Sequence, residues 1–451
     1  MKQIVLFLLY LLFVFFSYSQ NTKSPKYIFY FIGDGMGHNL VTLTDEYLKL
    51  ENKSIVFNDF PEFSMVSTHA KDRLITCSAA AGTALATGSK TSINTLGLDS
   101  SHTKELTSIA EHCKKQGRKI GIITTVPIDH ATPAAFYAKA KNREDYIKIG
   151  MDLSASGFDY FAGGYFSKGE TNDAKDTTYN YDAKPIIDAC LKKNYVIINS
   201  KQQFLNLKPS QRNILAIGKD FINGPHVPYR IDRTKQDINL KDLVTKGIEL
   251  LDNSKGFFMM IEGGKIDWAC HANDISTAIG EVIDFNEAVQ TALNFYKRNP
   301  EETLIIVTAD HETGGLSLGY NQTKYNTSLS SMAHQKISFD SFSHKIQSYI
   351  ENKTIPEFSA MLDTLGYYFG LGKQLTLTSV DSSRLLMSYK STFYPQQNET
   401  TLSILYGKYV PITMEATKMV GEKAGITWGT FHHTFSRVPV YAMGSQSNKF
   451  T

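Results

Sequence analysis

Short, almost unbroken apolar runs recur along the chain: KYIFYFI at 26–32, KIGIITTV at 119–126, GFFMMI at 256–261 and TLIIVT at 303–308. Runs of this length, rich in β-branched and aromatic residues and without polar alternation, predict strands buried on both faces. Between them, apolar residues return every three or four positions in ELTSIAEHCKKQ (105–116) and ISTAIGEVIDFNEAVQTALNFYKR (275–298), which predicts helices. A further helix is expected in SAAAGTALATG (78–88), whose small side chains allow close packing. Strands alternating with helices predict an α/β fold, a mostly parallel central sheet with helices on both faces.

Residues 335–370 read as helical pieces, and 371–411 mix aromatics with polar turns. This texture marks about 320–415 as an insertion into one domain spanning 20–451. The length of 451 residues, with 42% hydrophobic and 20% charged, suits such a domain. A net charge of +3, spread along the chain, excludes an evident nucleic-acid or polybasic membrane surface. The opening MKQIVLFLLYLLFVFFSYSQ has an early lysine, a short apolar run and small residues near Ser19. It reads as an export signal, residues 1–19, giving a periplasmic or extracellular mature chain without a membrane anchor. Cys77, Cys113, Cys190 and Cys270 are widely spaced without a CxxC and are expected to be unpaired.

The turns that leave the strands carry the chemistry. They are GDGMG, PIDHATP, EGGKIDWACH and ADHETGG, and in open α/β sheets sites form outside the carboxyl ends of strands. They bring Asp34, Glu262, Asp267, His271, Asp310 and His311 to one edge, with His433 arriving from FHHTFSRVPVYAMG. Carboxylate oxygen with imidazole nitrogen is a donor set that zinc accepts. Asp267 and His271 are four apart and share a helical face, whereas the adjacent Asp310 and His311 converge only in an irregular turn. Each alone suits an ordinary turn or hydrogen-bonded pair; together they point to metal chemistry. Ser78 opens its helix, where it serves either as an N-cap or as a place at which a phosphate would be stabilised.

In order over about 27–445, GDGMG, SAAAGTALATG, HATPAAFYAKAKNR, GFFMMIEGGKIDWACH, TADHETGG and HHTFSRVPVYA resemble the alkaline phosphatase family. The resemblance implies hydrolysis of phosphate monoesters through a phosphoserine on Ser78. It implies one zinc on Asp267, His271 and His433, a second on Asp34, Asp310 and His311, and a magnesium-type ion on Asp34, Thr132 and Glu262. Arg143, eleven residues after Thr132, matches the arginine that holds the phosphate oxygens. The HT step before VPVYA favours His433 over His432, and family members are commonly homodimers.

Three positions depart from the pattern: Cys77 where an aspartate that helps hold the arginine is usual, His130, and Trp268. A thiol at Cys77 implies a less firmly held Arg143 and weaker retention of phosphate; His130 and Trp268 imply altered third-ion and phosphate binding. Cys77 also raises a sulfatase-like nucleophile, but Ser78-Ala79-Ala80-Ala81 lacks the arginine of the C-x-(P/A)-x-R motif. A phosphodiesterase or sulfatase of the same superfamily is the alternative enzyme, and a metal- or phosphate-binding protein without turnover the alternative outside catalysis.

Overall fold

The structure, a computed structural model, describes residues 24–167, 182–209, 211, 213–218, 221 and 225–451; the export-signal expectation for 1–19 lies outside them. Strand β1 (Tyr27–Ile32) shows why the apolar runs have no polar alternation. Tyr27, Phe29 and Phe31 enter one core, while Ile28, Tyr30 and Ile32 pack against another on the opposite face. A strand covered on both sides needs apolar residues at every position.

Nine strands form the main sheet: β1, β2 (Glu62–Val66), β3 (Lys119–Pro127), β4 (Tyr160–Gly164), β5 (Val196–Ile198), β6 (Ile214–Ala216), β7 (Phe257–Glu262), β8 (Thr303–Thr308) and β13 (Val438–Gly444). Their order across the sheet is β2-β13-β8-β1-β7-β3-β4-β6-β5. Only β13 runs antiparallel to its neighbours, β2 and β8. Helices 38–49, 240–251 and 275–296 cover one face, and 78–87, 109–115, 131–134, 146–155 and 184–192 the other. The expected mostly parallel α/β architecture is therefore present, and the antiparallel β13 makes the sheet a mixed one.

Register positions the chemistry. Ile32 lies beside both Glu262 and Thr308, and Glu262 beside Thr124, so the central strands end level with one another. Two short pairs add to this edge: β9 (Glu312–Thr313) with β12 (His433–Thr434), and β10 (Ser317–Leu318) with β11 (Ile426–Thr427). The first carries the C-terminal histidine back to the turn after β8.

Element ends differ from expectation where capping decides. The 105–116 helix is confined to Ile109–Lys115, because Ser108 and Glu111 form a capping box that sets its start. The 275–298 helix spans Ile275–Tyr296. The turn-rich reading of 371–411 is corrected by helices Ser379–Phe393 and Glu399–Tyr406; the first begins at a Thr378/Asp381 capping box and buries Leu385, Tyr389 and Phe393. With Phe339–Glu351, Phe358–Phe369 and Pro411–Ala424 these helices share the core of helix Ile275–Tyr296. All four cysteines are free thiols.

Asp274 joins the helical segment to the edge of the sheet. Its buried carboxylate accepts from Thr277 N (3.1 Å), Thr277 Oγ1 (2.7 Å), Gln335 Nε2 (2.8 Å) and Phe339 N (2.9 Å). Asp274→Ala leaves several of these donors without an acceptor and is expected to lower unfolding free energy by about 2–4 kcal/mol. A urea titration checks this; a change under about 0.5 kcal/mol would show that the clamp is idle.

Candidate active site

Asp267 and His271 lie one turn apart on helix Lys265–His271, with Asp267 Oδ2 3.3 Å from His271 Nε2. His433, on β12, brings Nε2 to 3.1 Å from His271 Nε2 and 3.7 Å from Asp267 Oδ1. Carbonyl oxygens orient both rings: His271 Nδ1 faces Phe431 O at 2.5 Å and His433 Nδ1 faces Thr76 O at 2.9 Å. A carbonyl only accepts, so each Nδ1 carries a proton and Nε2 is the nitrogen that each ring turns inward. Two lone pairs and a carboxylate aimed at one point form a donor set for a cation. His432 is exposed, and its carbonyl accepts from Gly314 N (2.9 Å); it is the His433 ring that faces Asp267 and His271.

The turns after β1 and β8 bring Asp34, Asp310 and His311 together. Asp310 Oδ1 accepts from Gly35 N (3.2 Å) and His311 N (2.9 Å), which locks the irregular turn that adjacent ligands require. Gly35 has φ +71°, and a Cβ there would stand 2.8 Å from Asp267 Oδ1. Only glycine allows this approach of the two turns. His311 Nε2 lies 3.2 Å from Asp310 Oδ2 and 3.5 Å from Asp34 Oδ1, and its ring stacks on His433 with centroids 3.6 Å apart.

Asp34 also meets Glu262 and His130 in a third cluster. Thr132 Oγ1 donates to Asp34 Oδ2 (3.1 Å), and Thr124 Oγ1 donates to Glu262 Oε2. Asp34 Oδ1, Asp310 Oδ2 and Glu262 Oε1 are buried and accept no hydrogen bond from the described residues. Such orphaned carboxylate oxygens fit cations. His130, read from sequence as a neighbour of this cluster, has a ring nitrogen within 4.8 Å of its carboxylate oxygens.

Ser78 is the first residue of helix Ser78–Thr87; the N-cap is Cys77, so the capping role considered for Ser78 does not hold. Its buried Oγ lies 3.4 Å from His311 Nε2. A Cβ on Gly82 would stand 3.2 Å from Ala135 Cβ, so the small-residue helix packs directly on helix Ala131–Ala134. The Cys77 thiol accepts from Asn94 N (3.2 Å), and Asn94 O accepts from Arg143 N (2.8 Å). Cys77 therefore reaches Arg143 through backbone, while the guanidinium donates from Nη2 to His130 Nε2 at 3.0 Å. Trp268 stands beside His130, ring centroids 5.9 Å apart.

Sequence reasoning missed the residues that orient these ligands. Thr313 Oγ1 donates to Asp267 Oδ1 (2.5 Å) and lies 3.2 Å from His311 Nδ1. Threonine in the ADHETGG turn was the available signal. The carbonyls of Thr76 and Phe431 have no side-chain signature.

The electrostatics agree with the donor geometry. Burial, then the charges of Asp310, Asp267 and Glu262, push Asp34 well above the usual carboxylate range. Burial raises Glu262 to about 8 and Asp310 to about 7. For Asp267 burial acts upward too, but His271, His433 and His311 outweigh it and hold the group well below its ordinary value. Burial lowers His433 to about 4, and burial with the Arg143 charge lowers His130 to about 3, so both rings are neutral.

A level-ended α/β sheet with carboxylate–imidazole clusters around a helix-terminal serine is the arrangement of a cation-binding enzyme of α/β class. The family model for alkaline phosphatase matches residues 25–451, and the chain belongs to the alkaline phosphatase family, enzymes that hydrolyse phosphate monoesters. It is 32% identical to Alkaline phosphatase 4 of Bacillus subtilis (strain 168) over 96% of this chain and 86% of that protein. Alkaline phosphatase 3 of the same organism is 30% identical over 95% of this chain and 86% of its own length. The cold-active alkaline phosphatase of the psychrophile Shewanella sp. superposes with a TM-score of 0.75 at 27% identity, covering 94% of this chain and 95% of that one. The Thermus thermophilus enzyme, at 23% identity and a TM-score of 0.74, covers 94% of this chain and 87% of its own and shares the fold.

Raised values at Asp310 and Glu262 mean that the folded chain without cations keeps protons which the unfolded chain has lost. Stability from those groups is complete below their ordinary values of 3.8 and 4.5 and is lost as pH climbs through about 7 and about 8. The buried neutral histidines act oppositely, but only below about pH 6.5. The gap in melting temperature between cation-loaded and chelated protein is therefore expected to widen from about pH 6.5 to 8. Paired melting curves across that range check it; a constant gap would sink the account.

Proposed function

We propose that Ser78 is the nucleophile of a two-step phosphomonoesterase. The observation that carries this reading is the position of its Oγ, 3.4 Å from His311 Nε2 at the head of a helix whose amides favour negative charge. Ser78 Oγ attacks phosphorus, the ester P–O bond breaks, and the alcohol leaves with a proton. Water then attacks the phosphoserine, its oxygen joins phosphorus, and Ser78 recovers its hydroxyl as phosphate departs.

Arg143 offers a planar fork to two phosphate oxygens, a match that lysine does not reproduce. Asp267, His271 and His433 would hold one zinc and Asp34, Asp310 and His311 the other; Asp34, Glu262 and either Thr132 or His130 would hold a magnesium-type ion. When bound, these ions supply positive charge that favours the serine alkoxide, the leaving oxygen and hydroxide from water. The protein's part is to hold the donors before substrate arrives and to present Ser78 in a buried position. Cys77 is not the nucleophile in this reading, since its thiol accepts from Asn94 N, whereas Ser78 Oγ is the group that lies 3.4 Å from His311 Nε2. An exported homodimer belongs to the same proposal and is read from secretion of the full-length chain and its solution mass.

The test is hydrolysis of a phosphate monoester, a phosphate diester and a sulfate ester before and after chelation, with zinc and magnesium returned. Monoester turnover is expected to dominate and to return with the ions. Ser78→Ala is expected to lose at least about 10³-fold in kcat, with Cys77→Ala retaining turnover. Dominant diester or sulfate turnover, or a dead Cys77→Ala beside an active Ser78→Ala, overturns the substrate class or the nucleophile.

A further inference from the structure

A line of side chains that the two-step hydrolysis does not use runs away from the Arg143–His130 pair. Trp268 meets His130 edge to face, with centroids 5.9 Å apart and planes at 78°. On its other flank it meets His226 in the same manner, at 5.2 Å and 86°. Lys265 Nζ lies 2.8 Å from His226 Nδ1, which also faces Val227 O at 3.4 Å, and stands 3.2 Å from the centre of the Tyr229 ring. Lys265 is fully buried and its backbone N–H donates to Thr125 Oγ1 (3.1 Å).

A buried lysine costs stability that a methionine of similar length would not. Its placement has a directional consequence instead. Nζ, seated on the Tyr229 face, hydrogen-bonds His226 Nδ1 and so sets the plane of that ring. Edge-to-face packing transmits orientation because the ring quadrupoles favour perpendicular planes. Trp268 is thus set by His226, and His130 by Trp268. His130 can accept from Arg143 only along its in-plane Nε2 lone pair, so tilting the ring releases the guanidinium.

We propose that Lys265 and His226 are positioning residues that fix Arg143 through Trp268 and His130. This rests on the reading of Arg143 as the group that holds phosphate. Among the described residues neither side chain hydrogen-bonds to a member of the carboxylate–imidazole clusters, and their effect is assigned to ring orientation.

The experiment measures inhibition by inorganic phosphate, with kcat and KM for a chromogenic aryl phosphate, in the metal-loaded enzyme. The variants are His226→Ala, Lys265→Met, Lys265→Arg, Arg143→Ala and the double variant His226→Ala/Arg143→Ala, each with bound zinc counted per chain. Arg143→Ala is expected to raise the phosphate inhibition constant by about tenfold or more. His226→Ala and Lys265→Met are expected to raise it about fivefold, Lys265→Arg to recover most of the loss, and His226→Ala to add nothing once Arg143 is alanine. An unchanged constant in folded His226→Ala, an equal rise in the Arg143→Ala background, or a loss of bound zinc that accounts for the change overturns the inference. Should His226→Ala not fold, His226→Phe, which keeps a ring but no nitrogen for Lys265, is read by the same outcomes. An Arg143→Ala enzyme with wild-type phosphate inhibition overturns the reading of Arg143 itself, and this inference with it.

Discussion

Mutual repulsion among the buried carboxylates of Asp34, Glu262, Asp267 and Asp310 is the constraint around which the molecule is organised. Three of their oxygens accept no hydrogen bond from the described residues, and the groups lie at the shared edge of the central strands. Nothing in ordinary core packing offsets such a gathering; without compensating positive charge the groups must take up protons. The imidazoles compensate only on one side, pulling Asp267 down while Asp34 and Asp310 stay raised. That asymmetry divides one crowded site into a histidine-rich half and a carboxylate-rich half.

The sheet makes this gathering possible. Strands β1, β7, β3 and β8 are held in register by continuous parallel ladders, so their last residues are level and the turns beyond them cannot slip apart. Apolar side chains on both faces resist a shift of any one strand, because a one-residue slip would exchange its two faces. The ordinary core therefore bears on the chemistry at each strand end.

This is why so much was legible in the sequence. An uninterrupted apolar run names a doubly covered strand, and its end names the place where a polar turn must emerge; Asp34, Glu262 and Asp310 are read that way. The three-residue β5 and β6 carry too little pattern to stand out, and helix Ser379–Phe393 hides in a mixed stretch because its start depends on a capping box. The Nδ1 partners of His271 and His433 are backbone carbonyls of Phe431 and Thr76, contacts that any side chain at those positions could make. Lys265 and His226 are 39 residues apart, and only the folded chain brings their side chains together.

His130 is where the two halves of the site come into competition. A neutral imidazole has one lone pair, and an arginine can only donate, so the 3.0 Å contact with Arg143 commits the Nε2 lone pair and leaves the proton on Nδ1. If the ring were to bind an ion through either nitrogen, that lone pair would be withdrawn from Arg143: directly at Nε2, or by the change of tautomer that coordination at Nδ1 requires. An ion held by Asp34, Glu262 and the Thr132 hydroxyl asks nothing of His130 and leaves the guanidinium docked. In the proposed reading, a third ion and Arg143 are thus independent in one arrangement and antagonistic in the other. An aspartate at this position would escape the conflict, because its two oxygens can serve an arginine and a cation together. If Arg143 holds phosphate as proposed, an imidazole at position 130 couples ion choice to phosphate binding through the count of lone pairs on one side chain.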